Sequence, residues 1–242
     1  RVDVSFPCSL GGPEQARLPH RLSAFILTRE FPQGNPSVLP DREYSPEPGR
    51  LCENGGMSTY HYLDAAAGAP LRPEVLEAML PLLQGQAGNP SALHRAGRAA
   101  RRAVEEARGQ VAELLGAAPR EIVFTSGATE ANNLVLRSVA GRETGAARIA
   151  VSAVEHPSVL GTARCLEKMR EAMLDILPVD PQGRVALHSV SDALARRPAL
   201  LCLMLGNNET GVLQPVEETA AACADAGIPL HVDAVQAGGN LP

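Results

Sequence analysis

The chain has 242 residues, enough to bury a sizeable core, and its 45% hydrophobic content is ordinary for a globular protein. A net charge of -5 leaves no basic footprint, which argues against nucleic acid as a partner, and no apolar run in the sequence reaches the length of a membrane span. The five cysteines, Cys8, Cys52, Cys165, Cys202 and Cys223, form no Cys-x-x-Cys pair and are odd in number, so neither a disulfide scaffold nor a zinc site is expected, and a reducing cytoplasm fits.

Residues 1–56 hold eight of the 20 prolines and show no sustained helix or strand period. They are expected to be a disordered leader or extension, with Met57 as the natural start. The layout is not that of a secretory signal; several arginines admit a mitochondrial type of leader, against which the Glu and Asp content weighs. From Met57 the pattern changes. Residues 60–63 read as a short strand, and 64–70 as a turn of small residues. Pro73 opens a helix through Leu83 with Val75, Leu76, Met79 and Leu83 on its apolar side, its end kinked or shortened by Pro81. Residues 88–91 are a loop, and Ser91 is a candidate cap for a helix reaching about Leu115. The inner stripe of that helix is Ala100, Val104, Ala107, Val111 and Leu115, and Gly116 is its stop. His94, in its first turns, reads as readily as a capping or solvent-facing residue as a functional one.

Residues 121–124 read as a strand running into Thr125-Ser126-Gly127-Ala128-Thr129-Glu130, and residues 129–139 as a helix with Leu134, Val135 and Val139 on its apolar side. Free backbone N–H groups and the helix dipole at such a turn make a cradle for phosphate. Gly127 lets the backbone approach closely and Thr129 adds a hydroxyl; the plain alternative is an ordinary turn rich in small residues. The alternation continues with a strand at 148–152, a helix at 157–172 and a strand at 174–178. A helix follows at 187–195, capped by His188 or Ser189, then a strand at 200–205, a helix at 216–226 ended by Gly227, and a strand at 229–232. The last two strands are expected to be central and buried. Cys165, Cys202 and Cys223 are expected to be buried inert thiols. Apolar strands alternating with amphipathic helices mean an α/β fold: a mostly parallel sheet flanked by helices on both faces, with ligands beyond the strand C-termini.

Polar groups leave four strands at that edge: Ser126-Gly127-Ala128-Thr129, Glu155-His156-Pro157, Asn207-Asn208-Glu209 and Asp233-Ala234-Val235-Gln236. Four converging groups point to one site. Ala128 and Thr129 hold an anion. His156 offers a flat ring that stacks or moves a proton. Asn208 offers an amide to a hydroxyl or oxyanion. Asp233 closes an apolar strand, where a carboxylate is costly unless paired; a cationic ring nitrogen would pair it, and a helix N-cap is the plainer role. Gln236 would bond a neighbouring ring substituent. Glu155 and Glu209 read as solvated or loop-bracing carboxylates. Phosphate, stacked ring, phenolic oxygen and protonated pyridine nitrogen together describe pyridoxal 5'-phosphate.

From residue 62 onward the chain resembles the cysteine desulfurases, the class V branch of the pyridoxal-phosphate aminotransferase fold. The resemblance rests on Tyr62-Leu63-Asp64, Gly88-Asn89-Pro90-Ser91 with His94 and Gly97, residues 124–133, Val154-Glu155-His156, residues 207–211 and residues 231–236. It implies the large domain of a fold type I enzyme, truncated, over residues 73–242, with 57–72 an N-terminal segment of the small domain. It implies Ala128 and Thr129 as phosphate binders and His156 as the residue stacked on the ring and moving protons. Asn208 and Gln236 fall near the phenolic oxygen, and Asp233 at the pyridine nitrogen. The implied activity is sulfur mobilisation from L-cysteine, giving alanine and an enzyme persulfide. A homodimer, a sulfur-acceptor protein, a link to iron-sulfur cluster assembly and a cytoplasmic or, with a genuine leader, mitochondrial location come with it. Selenocysteine lyase or another class V transaminase or lyase is the alternative enzyme; a non-catalytic fragment or splice form is the alternative of another kind. The chain departs from the family at Ala67-Gly68-Ala69-Pro70, where two hydroxyls are lost. The family's cofactor-bearing lysine and persulfide-forming cysteine fall beyond Pro242, and Lys168, the only lysine, sits between Glu167 and Arg170 on a solvated face. The 242-residue chain alone is therefore expected to be inactive.

Overall fold

The computed structural model describes residue 68 and residues 71–84 and 88–237. The expected leader, the strand at 60–63 and most of the turn at 64–70 lie outside the described residues. The helices are α1 (Pro73–Leu83), α2 (Arg95–Leu114), α3 (Ala128–Ala140), α4 (Pro157–Lys168), α5 (Leu187–Ala195) and α6 (Val216–Ala226). The strands are β1 (Ala147–Ser152), β2 (Ala172–Leu177), β3 (Leu200–Cys202) and β4 (Leu230–His231). They form one parallel sheet in the spatial order β2-β1-β3-β4.

The two faces of the sheet are sorted by the strand period of two. Ile149 and Val151 of β1, with Leu200 and Cys202 of β3, pack against Leu136 and Ala140 of α3 and Val159, Ala163 and Leu166 of α4. Ala150, Leu201 and Leu203 face the other way, onto Val190, Ala193 and Leu194 of α5 and Cys223 of α6. Both faces are covered, which is why β1 and β3 read as unbroken apolar runs. The crossover through α4 leads from β1 out to β2, whereas that through α6 leads from β3 out to β4. The two connections depart on opposite sides, so the order reverses between β1 and β3, the place where an open α/β sheet leaves a crevice for a ligand.

Several elements differ from expectation. Residues 121–124 are not a strand. Pro119–Glu121 is a 3-10 turn, closed by the Ala118 N–H donating to Glu121 Oε2 at 2.7 Å. The carbonyl of Ile122 beyond it is taken by the Arg108 guanidinium at 2.6 Å, so its bonding is met by a side chain instead of a neighbouring strand. In α3 the inward positions are Asn132, Leu136 and Ala140; Leu134 faces out. The apolar side expected for α1 is not buried: Leu76, Met79 and Leu83 are all exposed among the described residues. The cap of α2 is His94, whose Nδ1 accepts from the Gly97 N–H at 3.2 Å, and not Ser91. The cap position of α5 is Ala186, so neither His188 nor Ser189 caps it. α4 stops at Lys168 because Arg170 adopts a left-handed φ of 61°, and the Glu171 N–H returns to the Leu166 carbonyl at 2.9 Å. That leaves residues 172 and 173 to β2. Finally, β4 pairs only with β3 among the described residues and so stands at an edge, not in the centre.

The thiols divide in a way the sequence did not suggest. Cys202 and Cys223 are buried, but Cys165 is exposed. The inward face of α4 is Val159, Thr162, Ala163 and Leu166, which turns residue 165 outward. Burial raises the Cys202 thiol well above its usual value and that of Cys223 to about 11, so neither forms a thiolate at neutral pH. Alkylation of the native chain with iodoacetamide should therefore label Cys165 while Cys202 and Cys223 react only after denaturation. Peptide mapping that found Cys202 labelled as fast as Cys165 would contradict this packing.

Candidate active site

α3 begins without a side-chain cap. Gly127 is its N-cap, near-extended at φ 159° and ψ 178°, and its carbonyl accepts from the Ala131 N–H. The N–H groups of Ala128 and Thr129, in the first turn, precede the helical ladder and meet no protein acceptor among the described residues. A Cβ added at Gly127 would meet no atom within 4 Å, so the space above the helix end is open. Glu130 stays out of that space because its carboxylate folds back on Ser126, accepting from the hydroxyl and the backbone N–H, both at 2.6 Å. Those two bonds, the hydroxyl first, hold its carboxyl below the usual range. Bare amides, helix dipole and open space together suit a phosphate.

At the end of β1 the chain passes through Glu155 into His156, the N-cap of α4, with Pro157 at the first helical position. His156 is exposed, but its Nδ1 is engaged: it accepts from the Ser158 N–H at 3.1 Å and lies 2.7 Å from Ser158 Oγ. Asp233, beyond β4, is buried. The ladder between β3 and β4 runs on past both strands to reach it, through Leu203 N–H to His231 O and Leu205 N–H to Asp233 O. Its Oδ1 accepts from the Val235 N–H at 3.2 Å, so it does brace the turn that follows.

The residue that joins these groups is Asn132, fully buried on the inner face of α3. Its Nδ2 donates to Asp233 Oδ2 and to Ser158 Oγ, both at 2.9 Å, and its Oδ1 meets His231 Nε2 at 2.7 Å. Sequence reasoning passed over Asn132, Ser158 and His231. A signal existed: Asn132 shares a stripe with Leu136 and Ala140, and His231 lies inside an apolar strand, and polar groups placed so must find partners. His231 is 1% exposed and its Nδ1 has no partner. Burial pushes its proton affinity down to about 4, against a smaller opposing pull from Asp233, so at neutral pH the ring is uncharged.

Glu155 is not solvated. It is buried at the reversal point, where Oε1 accepts from Ser152 Oγ and from the Met204 N–H, both at 2.6 Å, tying the loop after β1 to the end of β3. Its Oε2 has no partner. Burial raises it to about 7, against the two bonds that favour its ionised form. Glu209 is exposed in the loop after β3, braced by its N–H on Asn207 Oδ1. Asn207 serves as the strut: its Oδ1 also accepts from Thr210, and its Nδ2 donates to the Val154 carbonyl at 3.1 Å, next to the His156 loop. With its neighbour Asn208 it lines a cavity of about 250 Å³, together with Gly206, Gly211, Leu213, Gln236 and Ala237. The structure thus places His156 and Asp233 on one hydrogen-bonded network, Ala128 and Thr129 about one turn along α3 from its hub, and Asn208 with Gln236 in one cleft.

A parallel α/β sheet with a bare helix end, an imidazole and a buried carboxylate gathered near its reversal point is an arrangement suited to an anionic, aromatic ligand. The chain belongs to the aminotransferase class-V family, whose family model matches residues 61–242. It is 46% identical over 182 residues to a cysteine desulfurase of Cereibacter sphaeroides, covering 75% of this chain and 47% of that protein. A solved NifS-like protein superposes with a TM-score of 0.69 at 36% identity, covering 74% of this chain and 50% of the other. A solved SspA in complex with cysteine gives 0.67 at 36% identity, covering 73% and 51%. The fold is the one the resemblance implies. The chain spans about half the length of the relatives it matches.

Proposed function

We propose that this site binds pyridoxal 5'-phosphate and that the protein is a cysteine desulfurase acting on L-cysteine. The observation that carries the reading is the convergence of the uncapped α3 terminus, His156 and Asp233 at the sheet reversal, the last two linked through Ser158 and Asn132. The N–H groups of Ala128 and Thr129 would take the phosphate. His156, exposed and held by its Nδ1, would lie against the ring and move a proton at Nε2. Asp233 would face the ring nitrogen, and Asn208 and Gln236 the phenolic oxygen. When bound, the cofactor supplies an electron sink for bond changes at the α-carbon of the amino acid. The cysteine in the SspA complex supports the choice of substrate. A homodimer and a sulfur-acceptor protein belong to the same proposal.

Lys168 has no part in it. It ends the 12-residue α4, whose other end carries His156, so it lies about 16–18 Å from the site by helical rise. Its side chain is exposed, without the desolvation that makes a lysine nucleophilic. Titrating the 242-residue chain with pyridoxal 5'-phosphate should show reversible binding that Thr129→Pro weakens, and borohydride reduction should leave Lys168 unlabelled. No saturable binding, or a label on Lys168, would overturn the placement of the site.

A further inference from the structure

Asn132 has one carbonyl oxygen and two amide hydrogens, and each is used by a side chain of a different element: His231 of β4, Asp233 beyond it, and Ser158 of α4. Its orientation follows from its contacts: Nδ2 faces Asp233 Oδ2, to which it donates. Oδ1 then faces His231, whose Nε2 must carry the proton; the partnerless Nδ1 of that ring is consistent with this tautomer. On the other side, Ser158 Oγ accepts from Asn132, which leaves its own hydrogen for His156 Nδ1 at 2.7 Å. The backbone N–H of Ser158 points at the same nitrogen. Two donors on Nδ1 leave the ring proton of a neutral His156 at Nε2.

We propose that Asn132 is a positioning residue that sets the direction of every hydrogen bond from His231 to His156, so that His156 presents its proton at Nε2 while Asp233 is held on the same amide. The inference rests on the proposed cofactor site for its purpose, but not for its geometry. Asn132 acts on His156 through Ser158 and holds Asp233 directly.

The test needs no ligand. In the chain labelled with nitrogen-15 histidine, at a pH where histidines are neutral, both His156 and His231 should show an unprotonated Nδ1 and a protonated Nε2. His156→Gln and His231→Gln assign the signals. Ser158→Ala keeps the backbone donor and removes the hydroxyl, and should move the His156 tautomer ratio about fivefold toward Nδ1–H, the effect of losing one neutral hydrogen bond. Asn132→Asp should go further: the new carboxylate draws the Ser158 hydroxyl hydrogen to itself, turns the Oγ lone pair toward His156 and populates Nδ1–H there, and Ser158→Ala in that background should cancel the gain. A purely structural Asn132 would alter stability without moving the tautomer. A wild-type His156 protonated at Nδ1, or a His156 unchanged in folded Asn132→Asp or in Ser158→Ala, overturns the inference; if Asn132→Asp does not fold, the wild-type and Ser158→Ala spectra decide. Cofactor titration failing beside the expected tautomer pattern would refute the proposed function and leave the network standing.

Discussion

Replacing Asp233 with Ala, in a chain extended to the full length of its cysteine desulfurase relatives, is expected to lower sulfide release from cysteine by several orders of magnitude. A carboxylate buried at the end of a strand is costly to keep, and among the described residues its two oxygens accept from Asn132 and Val235. Neither of these partners is a cation, so the site suits a positive group. A protonated ring nitrogen is such a group, and holding that proton keeps the ring an effective electron sink. Losing one preorganised donor or charge in a catalytic site costs on the order of 10²–10³ in rate, and removal of the carboxylate that faces the ring nitrogen belongs at or above the top of that range. Asp233→Asn separates charge from packing, because its amide oxygen still accepts from Asn132. It should fold like the parent and still be strongly impaired. Near-normal turnover in Asp233→Ala would sink the assignment of the nitrogen partner.

Stability should respond to pH through two buried groups that oppose each other. Glu155 is raised from 4.5 to about 7, so the fold favours its protonated form; that stabilisation is complete below pH 4.5 and is lost as pH rises through 7. His231 is lowered from 6.5 to about 4, so the fold favours its neutral form; that stabilisation is complete above pH 6.5 and is lost as pH falls through 4. Each shift corresponds to about 3 kcal/mol, and the windows overlap between about pH 4.5 and 6.5, so the two slopes nearly cancel in the parent chain. Glu155→Gln should expose the histidine slope: denaturant midpoints that rise steeply with pH across this window. His231→Gln should expose the opposite slope. Asp233 faces both groups and opposes the burial effect on His231 while adding to it on Glu155, so the measurement also reports on that carboxylate. Parallel pH profiles for parent and both variants would show that these groups are not buried as described.

The sequence by itself determined the class of fold and named the candidate residues of the site. Periodicity fixed α5 and α6 to the residue, because in each an apolar stripe is bounded by clear breaks, Pro215 and Gly227 among them. Apolar runs at β1 and β3 announced strands buried on both faces, and the short polar stretches after β1, β3 and β4 put forward His156, Asn208 and Asp233 before any contact was known. Local chemistry was misread where tertiary partners decide: residues 121–124 look like a strand, but a strand needs a neighbour, and Arg108 reached Ile122 first. The end of α4 carried no glycine, since Arg170 takes the left-handed position itself. Only the tertiary structure decided that Cys165 faces outward, that β4 is an edge among the described strands, and that Glu155 is a buried strut. It alone assembled Asn132, Ser158, His231 and Asp233, which lie up to 101 positions apart. Hydrogen bonds across such separations leave no periodic trace in a sequence; they exist because packing α3 and α4 on one face of the sheet puts a buried amide over the end of β4, where it must find partners.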